Sequence, residues 1–160
     1  MQSFIYEKKH RLSQDLYRGL IRVTFTVCVK NNADLFADPE IVDIFLGYLK
    51  ISNIKNKIKN YCYVFMPNHI HILNEGVSTS SDLLAGMRLF KQYCGYWLSC
   101  NKEAYAMQKD YYDYIHRKDE DLLVHIRYLL DNPVRKGLVN RWQDYKFCGS
   151  LDYKLEELLS

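Results

Sequence analysis

The run Val64-Phe65-Met66-Pro67-Asn68-His69-Ile70-His71-Ile72-Leu73 constrains this chain more than any other stretch. Pro67-Asn68 cannot continue a central ladder and favours a turn, so one strand ends at Met66 and a second begins at His69. Side chains alternate across a strand, which sends His69 and His71 one way and Ile70 and Ile72 the other, into an apolar layer. Two imidazoles side by side are half of a divalent-metal site, because neutral imidazole is the commonest side-chain metal ligand. The same pair also suits an ordinary strand in which each ring packs and makes one hydrogen bond.

The rest of the chain supplies partners for this hairpin. Ile21, Val23, Phe25 and Val27 alternate with Arg22, Thr24, Thr26 and Cys28, the pattern of a half-buried strand. Asp38-Pro39-Glu40 gives an N-cap, a proline at the first helical position and an acid in the first turn, and predicts a helix from about Pro39 to Ile51. In the strand Tyr61 to Met66, Tyr61, Tyr63 and Phe65 are predicted to face one way and Cys62, Val64 and Met66 the other. Ser78 to Ser81 is a ready N-cap for a second helix with the stripe Leu83, Met87, Phe90, Cys94 and Trp97. Arg88 and Lys91 lie off that stripe, on a face that either is solvated or follows a phosphate backbone. Tyr111 to Arg117 reads as a short strand. A third helix opens at Lys118-Asp119-Glu120-Asp121 with acids at its positive end, buries Leu122, Leu123, Ile126, Leu129 and Leu130, and ends at Asn132-Pro133. This order predicts an α+β, ferredoxin-like sandwich, an antiparallel sheet with helices on one face.

The 160 residues fit one domain, 1–160, with a short C-terminal tail at 143–160, and neither repeats nor linkers interrupt it. A net charge of +3 permits a nucleic-acid partner without requiring one. The five cysteines form no CxxC pair and read as buried free thiols in a reducing compartment, not as a disulfide framework or zinc site. Residues 1–20 lack an apolar signal-like core, and no run approaches the roughly 18 apolar residues of a membrane span, so no membrane association and a cytoplasmic location are expected.

On the third helix, Tyr128 and Asn132 stand four residues apart on one face, with His125 three residues before the tyrosine. If that helix packs across the histidine strand, a cation would be held by His69, His71 and the Asn132 amide oxygen, with water or a substrate phosphate completing the shell. N/O ligation with open positions suits Mg²⁺ or Mn²⁺, although histidine also suits zinc. Taken singly, Tyr128 is one of 14 tyrosines and reads as a packed helix residue, Asn132 as a helix end, and His125 as a satisfied surface or supporting histidine.

The run Met66 to Leu73, together with Tyr128-Leu129-Leu130-Asp131-Asn132-Pro133-Val134-Arg135-Lys136-Gly137-Leu138-Val139, resembles the single-tyrosine HUH transposases of insertion sequences. The likeness extends from the Thr24-Phe25-Thr26 strand to about Trp142 and is greatest to the REP-associated tyrosine transposases. The resemblance implies a nuclease and strand transferase acting on single-stranded DNA near imperfect hairpins. His69 and His71 would bind the metal, Tyr128 would attack the DNA phosphorus, and Asn132 would be the third ligand. Arg88 and Lys91 correspond loosely to basic residues on that family's second helix, and Arg135 and Lys136 are further DNA-contact candidates beside the proposed site. The sequence departs from the pattern in its short tail after Trp142 and in Tyr111 to Arg117, which only approximates the family's Tyr-rich, Asp-His-type stretch.

A phenol with a pKa near 10 is mostly protonated at neutral pH, and a cation on the scissile phosphate would offset that weakness by withdrawing charge. Two rival functions remain at this stage: a catalytically silent, domesticated hairpin-DNA-binding protein, and a metal-dependent phosphodiesterase that uses water. A homodimer, with Tyr128 completing its own site or a partner subunit's, stays open.

Overall fold

The computed structural model describes residues 13–160. Its elements are β1 (Arg22–Cys28), α1 (Pro39–Lys55), β2 (Ile58–Met66), β3 (His69–Gly76), α2 (Leu83–Asn101), β4 (Tyr112–Ile115), α3 (Leu122–Leu130), α4 (Asn132–Arg135), β5 (Cys148–Gly149) and α5 (Leu155–Leu158). The strands form one sheet in the order β4-β1-β3-β2-β5, and every pair is antiparallel. The first four strands have the expected ferredoxin-like order, and β5 adds a short edge beside β2.

Local chemistry sets the helix starts. Asp38 accepts from the Glu40 N–H ahead of Pro39, and Asp121 accepts from the Leu123 N–H to cap α3. The second helix is capped by Asp82, through the Ala85 N–H, and not by the preceding serines. Ser81 instead accepts from Val77 and Ser78 and donates to the Lys57 carbonyl, which ties the loop to β2.

Both faces of the sheet are covered, by different helices. Val23, Phe25, Val27, Phe65, Ile70 and Ile72 pack with α1 and α2 through Phe45, Leu49, Met87 and Phe90. Cys62, Val64, Met66 and Leu73 pack on the other side with Ile126, Leu129 and Leu130 of α3 and Leu155 of α5. The sandwich is therefore the expected one for α1 and α2, while α3 crosses to the opposite face. That crossing explains why β1, expected to be half-buried, has its two threonines enclosed as well.

The predicted alternation of β2 holds from Cys62 onward and fails at Tyr61. A bulge between Asn60 and Cys62 inserts one residue, so Tyr61 joins the α3 side and stacks on Tyr153 with ring centroids 4.7 Å apart. Asn60 fills the bulge, donating to the carbonyls of Cys62 and Leu73 and to Asn74 Oδ1. All five cysteines are free thiols, and Cys100 differs from expectation in being exposed. Among the described residues no helix is long and apolar enough to cross a membrane.

Candidate functional site

The strand period and the crossing of α3 act together. His69, His71 and Leu73 share the β3 face opposite Ile70 and Ile72, and this is the face that α3 covers. The two Nε2 atoms lie 3.2 Å apart. Each far nitrogen has its own partner: His69 Nδ1 meets Asn68 Oδ1 at 2.7 Å, and His71 Nδ1 meets Thr26 Oγ1 at 3.0 Å. Thr26 stands directly opposite His71 in the β1–β3 register. When both Nε2 lone pairs serve one cation, both Nδ1 atoms carry the protons and donate to these two oxygens, the usual arrangement behind metal-binding histidines.

Burial keeps the pair neutral. His71 is 1% exposed, and its pKa falls to about 3 through desolvation first, then the nearby charges of His69 and Arg135. His69 falls to about 4 through desolvation and the Lys136 ammonium. Neutral imidazole is the ligating form, so no proton has to leave at neutral pH before a cation binds.

The helix does not simply end at Asn132-Pro133. Proline lacks an N–H but its φ suits a first turn, and a short helical turn restarts as α4, with the Arg135 N–H on the Asp131 carbonyl. The restart swings Arg135 back over α3. Its guanidinium lies 4.3 Å from the Tyr128 ring centroid and donates to the Tyr128 carbonyl, Asp131 Oδ2 and Asn132 Oδ1, the last at 2.9 Å. Asn132 Nδ2 donates to the Leu129 carbonyl, which fixes the amide so that Oδ1 keeps one lone pair beyond the one Arg135 takes. Arg135 thus binds the candidate nucleophile and the candidate third ligand into one unit, and its charge reaches His71.

A cleft of about 420 Å³ opens beside this pair, lined by Asn32, Asp34, Pro67, His69, Lys136 and Leu138. Lys136 and Asp34 both line the cleft and Arg135 is paired with Asp131, so the Lys136 ammonium and the shared Arg135 guanidinium are the groups that can meet an anion such as phosphate. Arg88 and Lys91 are not brought here, because α2 lies on the other face of the sheet. Arg88 is exposed. The Lys91 ammonium donates to the carbonyls of Gln108 and Lys109 and sits 4.8 Å from the Tyr111 ring centroid, so it braces the loop before β4.

Sequence reasoning missed Thr26 and Asn68 as supports of the imidazoles and Arg135 as a clamp. Thr26 was within reach, since its strand alternation and the position of its strand beside β3 imply the facing register. The Arg135 clamp depends on the restarted turn, which nothing in the local pattern signals.

No family model matches the chain, and no curated protein matches it in sequence. Among solved structures, one described as the structure of a REP-associated tyrosine transposase bound to a REP hairpin superposes with a TM-score of 0.72 at 19% identity. The match covers 88% of this chain and 81% of that one. The chain has the fold of that REP-associated tyrosine transposase.

Proposed function

We propose that the chain is a single-tyrosine HUH transposase-like enzyme of the REP-associated kind, which nicks and rejoins single-stranded DNA near hairpins in the cytoplasm. The observation that carries this is the 3.2 Å approach of two neutral, individually supported imidazoles on the sheet face covered by α3, which bears Tyr128 and leads into the α4 turn that bears Asn132. The hairpin named with the similarly folded transposase supports the choice of DNA partner.

The donor set fits a divalent cation: His69 Nε2, His71 Nε2 and the Asn132 Oδ1 would hold Mg²⁺ or Mn²⁺ and leave positions for phosphate oxygens. Bound there, the ion supplies charge withdrawal from the scissile phosphate. All three donors are neutral, so the phosphate itself provides the balancing negative charge. Arg135 and Lys136 attract the backbone, and Arg135 holds the Tyr128 ring in place. Tyr128 Oη attacks phosphorus in line as the P–O3′ bond breaks, and the phenolic proton ends on the departing 3′-oxygen. The products are a 5′-phosphotyrosine and a free 3′-OH. A second strand's 3′-OH then displaces Tyr128, returning its proton, so the exchange needs no nucleotide cofactor.

The Arg135–Asn132 bond favours one competing function, hairpin binding without cleavage, because it occupies part of the third ligand. The test is incubation with a 3′-labelled hairpin carrying a single-stranded flank, plus Mn²⁺. A covalent protein–DNA adduct on a denaturing gel, lost in Tyr128→Phe, is expected. Cleavage without an adduct means hydrolysis by water, and tight binding without cleavage means a binding module. Either outcome overturns the proposal.

A further inference from the structure

A second group of metal-ligand side chains lies on the same sheet face, outside the site described above. One ring nitrogen each of His116 and His125 and a Glu120 carboxylate oxygen all lie within 4.8 Å of one another. His125 Nε2 is 2.8 Å and His116 Nδ1 3.9 Å from the same oxygen, Glu120 Oε2. The two rings are nearly perpendicular, with centroids 4.2 Å apart, so both nitrogens can aim at a point between them and the carboxylate.

Neighbouring groups orient His116 and Glu120 toward one another and toward His125. His116 Nε2 is held by Thr24 Oγ1 at 2.7 Å, so Nδ1 is the nitrogen turned toward the glutamate. Glu120 Oε1 accepts from the Tyr114 hydroxyl and from the Arg117 N–H, with the Arg117 guanidinium 3.4 Å away, which turns Oε2 toward the imidazoles. Both histidines are buried, and the Glu120 side chain is 11% exposed. His116 borders a cleft of about 310 Å³ whose charged lining is Arg22, Glu75, Arg117 and Lys118. Arg22 is paired with Glu75.

From this arrangement we infer a zinc-binding site formed by His116, Glu120 and His125. Two imidazoles and a carboxylate are a recognised zinc donor set that leaves a fourth position for water. Ligands about 2.0–2.1 Å from a tetrahedral ion stand roughly 3.3–3.4 Å apart, so the observed 2.8 and 3.9 Å each need to change by about 0.5 Å. The ion joins the residue after β4, the turn at Glu120 and the first half of α3, while Thr24 ties the group to β1. His125 is one turn before Tyr128, so the clip fixes the helix that presents the tyrosine. β1 then supports two histidine sites with alternate threonines, Thr26 behind His71 and Thr24 behind His116, about 7 Å apart along the strand. The zinc site does not depend on the nuclease proposal.

The test is equilibrium dialysis of metal-free full chain against Zn²⁺, with Co²⁺ absorption as the geometric readout. His69→Ala removes the first site and is expected to leave one Zn²⁺ per chain and a tetrahedral Co²⁺ spectrum. Within that background, Thr24→Val keeps the shape of the residue and is expected to weaken Zn²⁺ binding about 10- to 100-fold, the usual effect of losing a supporting hydrogen bond. Glu120→Gln is expected to abolish stoichiometric binding. Failure of the His69→Ala chain to retain Zn²⁺ overturns the inference without requiring any substitution in the cluster. Retention unchanged in both Thr24→Val and Glu120→Gln overturns it equally, because the ion then lies elsewhere.

Discussion

Replacing Thr26 with valine tests whether the supports of the histidine pair matter as much as the pair. Thr26 is 5% exposed and His71 1%, so water cannot replace the lost hydroxyl, and His71 Nδ1 is left unpaired. An unsatisfied buried polar group costs about 1–3 kcal/mol, and valine suits the strand, so little else changes. For a chain of this size that corresponds to a fall in Tm of very roughly 2–12 °C, at about 2–4 °C per kcal/mol. The second effect is on the cation: without its Oγ1 partner the His71 ring loses both orientation and tautomer, and Mn²⁺ affinity is expected to drop about 10- to 100-fold. Calorimetric melting and Mn²⁺ titration in the presence of a non-cleavable hairpin read the two effects separately. Thr26→Ser keeps the oxygen and is expected to retain most of the affinity. If Thr26→Val binds Mn²⁺ like the parent chain, the Thr26 hydroxyl does not orient His71 for a metal, and the two-imidazole site loses its main support.

Tyr128→Phe is expected to abolish the covalent adduct while hairpin binding stays nearly unchanged, since one hydroxyl goes and the ring under Arg135 remains; gel-shift and denaturing-gel assays on the same samples check this. Stability is expected to fall as pH drops below about 6.5, because His69, His71 and His116 have native pKa values of about 4, 3 and 4 and the unfolded chain binds more protons throughout that window. Each group contributes at most about 1.4 kcal/mol per pH unit, and urea midpoints measured between pH 7.5 and 5 that do not move would contradict the neutral assignment. Gly76→Ala is expected to unfold the chain or shift its backbone, because a Cβ there would overlap the Gly19 carbonyl oxygen; circular dichroism melting reads it. Neutralising Arg88, if it follows DNA phosphates, is expected to lower the salt slope of log K by about 0.7, whereas Lys91→Ala is expected to destabilise the loop at Gln108-Lys109 as well.

What was legible in the sequence is what local chemistry dictates. Period-two runs marked β1, β2 and β3, Asp-Pro-Glu marked α1, and Pro67-Asn68 marked the hairpin, because each signal acts over a few residues. The bulge at Tyr61 was not legible, since an inserted residue leaves the spacing intact and only shifts which face each side chain takes. The His116–Glu120–His125 cluster was hidden for a related reason. Its members come from a strand end, a turn and a helix, so no single period relates them.

The side of the sheet taken by α3 is where local signals fell short and where the site itself supplies the missing constraint. An amphipathic helix fits either face of a two-sided sheet, and Ile126, Leu129 and Leu130 specify only that it must bury a stripe. The parity of β3 decides more. Ile70 and Ile72 belong to the α1–α2 layer, so the imidazoles necessarily face away from it. Had α3 joined α1 and α2, Tyr128 and Asn132 would lie on the opposite side of the sheet from the histidines, and the two sequence motifs could not cooperate within one chain. The observed crossing lets Cys62, Val64, Met66 and Leu73 pack against the apolar stripe of α3. The same packing sets Arg135 close enough to act on His71. A second apolar layer on that face is thus both a packing solution and the physical condition for joining the histidine strand to the tyrosine helix.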